Sequence, residues 1–259
     1  MILSHKYKFF FLRSRRVGGS SILYGLGKQC GEDDIVNSPD TAIARSNRLH
    51  GTNYKSIKKN FHIIDPSLYD PDNPNFVGAS PRVHITPSEL QYTFPKEWET
   101  YSRIGAVRNP YDMVYSMWAF RMVIRPDQPK RTFSEWVLNK EGYMINGRPG
   151  HKHKVLEFWF DHDTGLPIKY DFMIKYENLE NDYKNVCEHF GIPYEPLVKL
   201  NTATRLDHEA IAKFRALYKI EKDGNVYPNK SYRKVYDDET KEYVGNLYGK
   251  LIERYNYEF

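Results

Sequence analysis

Residues 8–22, Lys-Phe-Phe-Phe-Leu-Arg-Ser-Arg-Arg-Val-Gly-Gly-Ser-Ser-Ile, constrain this chain more than any other stretch. The run Phe9–Leu12 has no polar interruption, the pattern of a strand buried on both faces. It empties into three arginines, two glycines and three serines, after which Ile22, Leu23 and Leu26 begin a helical period. A strand, a glycine turn and a helix N-terminus together make an anion site, because free backbone N–H groups and the helix dipole converge there. Gly18 and Gly19 permit close backbone approach to an oxyanion. Ser20 and Ser21 can cap the helix or offer hydroxyls. Arg13, Arg15 and Arg16 add forked cationic donors. The expected ligand is a phosphate or sulfate ester, with a plain turn as the alternative. The segment lacks the lysine of a Gly-x-x-x-x-Gly-Lys-Ser/Thr loop, which counts against ATPase or GTPase chemistry.

A second strand-to-helix element repeats this logic. Ser102–Val107 reads as a strand, and Arg108-Asn109-Pro110-Tyr111-Asp112 opens a helix that carries Ser116 two turns on. One arginine fork and one hydroxyl suffice to hold a phosphate; otherwise Arg108 caps its strand and Ser116 is buried in the helix. Strands alternating with helices predict an α/β fold with a central parallel sheet flanked by helices. Ligands in such sheets sit at the carboxyl ends of strands, where both elements fall.

The 259 residues suit one domain, with 31–81 and 121–150 as polar insertions beside the motifs. The net charge of +5 favours an anionic ligand, but no basic block is dense enough for nucleic acid. Cys30 and Cys187 cannot build a disulfide framework and show no metal spacing. There is no signal-peptide pattern and no run of about 18 apolar residues. Further helices are expected at Thr86-Pro87-Ser88-Glu89, a capping box, and over Phe133–Leu138, Leu179–Phe190, Asp207–Tyr218 and Asp237–Tyr255.

The pair Arg16-Val17-Gly18-Gly19-Ser20-Ser21 and Arg108-Asn109-Pro110-Tyr111-Asp112…Ser116 resembles the two nucleotide-binding elements of the sulfotransferases that use 3′-phosphoadenosine 5′-phosphosulfate (PAPS). Tyr176-Glu177-Asn178-Leu179 and the end of the chain, Tyr236–Phe259, are also similar, most of all to the branch that includes carbohydrate O-sulfotransferases. The resemblance implies that Arg13–Ser21 hold the 5′-phosphosulfate and that Arg108 and Ser116 hold the 3′-phosphate. A basic C-terminal segment would complete that second pocket, through Arg205 or through Ser231 and Arg233. It implies transfer of a sulfuryl group to an acceptor hydroxyl, a glycan or glycolipid, without a metal. The family's loop lysine corresponds to Arg16, which would serve at the bond being broken. The family's base corresponds to His84, in Arg82-Val83-His84-Ile85-Thr86; His titrates near neutrality and suits that work. Trp118, Trp136 and Trp159 are either core residues or stacking surfaces for adenine or sugar. Animal members of this branch carry a Golgi anchor. Without one the expectation is a cytoplasmic protein of bacterial or viral origin, with the Golgi lumen applying only to a shortened chain. The rivals are a P-loop kinase or related nucleotide-phosphate enzyme, and a non-catalytic module binding nucleotide or sulfated glycan.

Overall fold

A computed structural model describes residues 1–61, 84–124, 132–138, 156–161, 164–200 and 232–259. Five strands form one sheet: β1 (Ile2–Ser4), β2 (Phe9–Phe11), β3 (Ile35–Val36), β4 (Ser102–Val107) and β5 (Phe172–Lys175), in the spatial order β3-β1-β2-β4-β5. The expected α/β class holds. The sheet is parallel over β2, β4 and β5, with Phe9 opposite Ser102 and Ile104 opposite Phe172. It is antiparallel where β1 pairs with β2 and β3. The short His5–Lys8 link explains this reversal: a tight turn can join only antiparallel neighbours.

Alternation along β2 sorts its aromatics onto two faces. Phe9 and Phe11 enter the main core with Ile22, Leu23 and Leu26 of α1 (Gly19–Lys28). Phe10 and Leu12 enter a second core with Ile85, Leu90 and Trp98. That second face is covered by α3 (Pro87–Thr93) and α4 (Pro95–Thr100), which supply Leu90 and Trp98. A separate small cluster joins Ala42 and Ile43 of α2 (Asp40–His50) to Tyr24 of α1 and to Leu200. The main core also takes Met113, Val114, Met117 and Trp118 of α5 (Pro110–Ile124), Trp136 of α6 (Phe133–Leu138) and Tyr183 of α7 (Leu179–Phe190). The three tryptophans Trp118, Trp136 and Trp159 are buried there, so packing is their observed role.

The Thr86 capping box forms as expected: Glu89 N–H donates to Thr86 Oγ1 at 3.3 Å and Thr86 N–H donates to Glu89 Oε2 at 2.6 Å. Helix α7 ends at a left-handed Gly191, with φ of 63°. The helix expected over Asp237–Tyr255 is instead two, α8 (Asp238–Leu247) and α9 (Gly249–Tyr255), with Tyr248 at the break. Gly245 and Gly249 flank that break and lower local helix propensity. The expected helix at Asp207–Tyr218 lies outside the described residues, as do 62–81 of the first insertion and 125–131 and 139–150 of the second.

Candidate active site

Strands β2, β4 and β5 run the same way, so the residues following each one gather at one edge of the sheet. Those residues are Arg13–Ser21, Arg108–Asp112 and Tyr176–Asn178. The first loop is bound to the second strand by Ser14, whose buried hydroxyl donates to the Ala106 carbonyl at 3.2 Å.

Gly18 is the N-cap of α1, with φ of 78° and ψ of 0°, and its carbonyl accepts from Ser21 N–H at 3.0 Å. This corrects the expectation that Ser20 or Ser21 caps the helix: both fall inside its first turn. The left-handed conformation favours glycine, and a Cβ there would also press on Leu179 at 3.2 Å. At Gly19 a Cβ would stand 2.8 Å from Arg13 Cγ. Gly19 therefore leaves the channel along which the Arg13 side chain crosses the turn. Arg13 Nη2 then donates to Ser20 Oγ at 2.7 Å. Ser21 Oγ turns elsewhere and accepts from Leu200 N–H at 3.2 Å. Val17 is fully buried in the main core, so only its backbone is available to a ligand.

Arg16 also adopts a left-handed conformation, with φ of 59°. This is costly for a side chain with a Cβ, and its surroundings hold it there. Its carbonyl accepts from Arg108 Nη1 at 3.0 Å, its Nε donates to Ser116 Oγ at 3.1 Å, and its guanidinium lies 4.3 Å from the centre of the Phe120 ring. Arg45 of α2 lies over the same ring at 5.0 Å. The two sequence elements are thus in direct contact.

Arg108 is buried at 5 % exposure. It donates to Asp112 through Nε at 2.8 Å and Nη2 at 2.6 Å, and its guanidinium stacks 3.9 Å from the centre of the Tyr176 ring. Ser116 is likewise buried. The turn holding Arg108 is braced by Glu177, which accepts from Asn109 N–H at 2.6 Å and from Tyr257 Oη at 3.2 Å. Tyr176 and Glu177 therefore anchor the Arg108 turn.

His84 reaches the first loop from the opposite side. Its Nδ1 lies 2.9 Å from the Arg13 carbonyl. A carbonyl only accepts, so Nδ1 carries the proton and Nε2 the lone pair. Burial, then the charges of Arg13 and Arg15, hold the imidazole well below its usual range. It is neutral at pH 7 and able to take a proton. Burial and the nearby Arg16 charge bring Arg13 down to about 10, still cationic at neutral pH.

Of the expected C-terminal contributors, Arg205 and Ser231 lie outside the described residues. Arg233 is exposed and lies over the rings of Tyr232 and Phe259, at 5.4 and 6.0 Å. The Phe259 ring packs on Tyr111, in the first turn of α5, and on Tyr232, which puts Arg233 on the flank of the Arg108 turn. The sequence reading overlooked Phe120 and Asp112. Both had a signal: Phe120 lies four residues from Ser116 on one face of α5, and Asp112 lies four residues from Arg108 across the strand-to-helix turn. Arg45, far off in sequence, had none. Among the described residues no group of three or more His, Cys, Asp or Glu could hold a metal, and no helix is long and apolar enough to cross a membrane.

No family model and no curated protein matches the chain. Among solved structures it is similar to the crystal structure of a sulfotransferase from Alicyclobacillus acidocaldarius, at 13 % identity and a TM-score of 0.35, over 82 % of this chain and 91 % of that one. At that distance the support for a function comes from the site's own residues: a glycine turn, four arginines and a neutral histidine at the carboxyl edge of one sheet.

Proposed function

We propose that the chain is a sulfotransferase that moves the sulfuryl group of PAPS to an acceptor hydroxyl, of a carbohydrate by the branch it resembles. The observation that carries this is the junction of the two anion elements. Arg16 Nε meets Ser116 at 3.1 Å and Arg108 meets the Arg16 carbonyl at 3.0 Å, so one ligand with two phosphate-type groups spans both. The site suits such a ligand chemically. Gly18 and Gly19 allow close backbone approach, and partly desolvated guanidinium groups supply charge that water screens little.

His84 Nε2 accepts the acceptor's proton as its oxygen bonds to sulfur, and the sulfur–oxygen bond to the 5′-phosphate breaks with the electron pair leaving on that phosphate. The arginines offset the charge that grows on the leaving oxygen. The segments 31–81 and 121–150 are proposed to shape the acceptor pocket within a single domain.

Thermal melting of the full chain with adenosine 3′,5′-bisphosphate, adenosine 5′-monophosphate and ATP tests this. The bisphosphate should stabilise most, by about 2.7 kcal/mol at a hundred times its dissociation constant. Equal shifts from bisphosphate and monophosphate would remove Arg108 and Ser116 from the site, and a larger shift with ATP would favour a kinase. An acceptor screen with labelled PAPS then separates an enzyme from a binding module.

A further inference from the structure

We propose that Arg13, rather than Arg16, is the catalytic cation at the transferring group, and that Arg16 belongs to the 3′-phosphate pocket. This rests on the sulfotransferase reading and divides its arginines by position. Three observations separate the two residues. Arg13 crosses the turn through the space left by Gly19 and ends on Ser20, in the first turn of α1. Arg16 ends on a different element, on Ser116 and the Phe120 ring of α5. His84 hangs from the carbonyl of Arg13 at 2.9 Å.

The last contact gives Arg13 a double role. Its guanidinium faces the turn where the 5′-phosphosulfate is held, while its carbonyl orients the imidazole that faces the acceptor. One residue at the end of β2 thereby sets the donor's charge and the acceptor's base in register. In the transfer the acceptor oxygen bonds to sulfur, its proton passes to His84 Nε2, and the bond from sulfur to the phosphate oxygen breaks, its electron pair staying on the phosphate. Arg13 neutralises the sulfonyl oxygens and that leaving oxygen. Arg16 remains at the other end of the nucleotide, held in its left-handed conformation by Arg108.

Calorimetric titration distinguishes the two roles without an acceptor. Adenosine 5′-phosphosulfate probes the first pocket, and adenosine 3′-monophosphate the second. Arg13→Gln should weaken the phosphosulfate about tenfold to a hundredfold and leave the 3′-monophosphate within about twofold; Arg16→Gln should do the reverse. Loss of phosphosulfate affinity in Arg16→Gln, equal to or larger than in Arg13→Gln, overturns the assignment. Should Arg13→Gln fail to fold, Arg13→Lys and the Arg16→Gln arm still decide the question. In an NMR titration Arg13→Gln should also raise the His84 pKa, since Arg13, Arg15 and the Met1 amino group face that ring; an unmoved value would refute the coupling of donor cation and base. If the wild-type chain binds neither probe, the sulfotransferase reading itself fails, an outcome distinct from exchanged roles in a chain that binds both.

Discussion

The two ends of β2 are built from opposite charges and do different work. At its amino end a single carboxylate, Asp34, is saturated. It accepts from Ser4 Oγ at 2.7 Å, His5 N–H at 2.7 Å, Lys6 N–H at 3.0 Å and Gly31 N–H at 2.8 Å. That closes the β1–β2 turn and ties it to the segment after α1. At the carboxyl end, cations rest on hydroxyls and rings: Arg13 on Ser20, and Arg16 on Ser116 and Phe120. A hydroxyl contact to a charged group is worth far less than a full anion, so Arg13 keeps binding potential that Asp34 has spent. Arg108 stands between the two cases, since Asp112 already supplies it with a carboxylate. The contrast separates structure from function along one strand.

The sharpest way to break this comparison is at His84. His84→Ala should lower turnover about 10²–10⁴-fold while nucleotide affinity stays nearly constant, as measured by sulfuryl transfer beside calorimetric titration. Wild-type turnover would move the base elsewhere; loss of folding would make His84 structural.

Arg108→Ala should next destabilise the fold by about 3–5 kcal/mol in denaturant unfolding, because it leaves Asp112 buried and unpaired. The double variant Arg108→Ala/Asp112→Ala should recover part of that loss. An Arg108→Ala variant as stable as wild type would place Arg108 with the binding residues alone.

Asp34→Ala should cost about 2–4 kcal/mol by orphaning buried donors, with nucleotide affinity unchanged. Its pH signature sharpens the contrast. Burial alone would raise the Asp34 carboxyl, but the hydrogen bonds from Ser4, Lys6, Gly31 and His5 outweigh it and hold the group below its usual value. A lowered folded pKa gives stability that is present above the unfolded value of 3.8 and lost as pH falls through the folded one. His84, also lowered, begins to lose its contribution earlier, below 6.5. Acid unfolding should thus steepen in two windows, and Asp34→Asn should abolish only the lower one, as read by melting temperature against pH.

The smallest effect belongs to Gly18→Ala, about 1–2 kcal/mol in thermal unfolding, from the left-handed backbone and the Leu179 contact. No change would mean that the turn relaxes around a side chain.

Much of this architecture was legible because it is written in local periods and caps. Ser102–Val107, Phe133–Leu138 and Leu179–Phe190 form with the bounds their sequences suggested. Thr86 caps through its own third neighbour. The pairing of the glycine turn with the Arg108 element was also readable, since each follows a strand. The short strands β1 and β3 were not, because two or three residues carry no period, and β3 is recognisable only by what it pairs with. Asp34 was equally silent: its four donors come from the end of β1, from the turn that follows it and from the segment after α1.

What the sequence alone determined is the set of chemical parts: a buried aromatic strand, a glycine turn that admits positive φ, clustered arginines and a histidine beside a capped helix. Those properties depend on residue type and near neighbours. Only the tertiary structure decided how the parts divide. Arg13 and Arg16 are three residues apart and alike in chemistry, yet a left-handed backbone at Arg16 sends its side chain to Ser116, a hundred residues away. Arg13 remains at the turn because Gly19 leaves room for it. Direction is a property of backbone angles and of long-range packing, and a residue's type does not contain it.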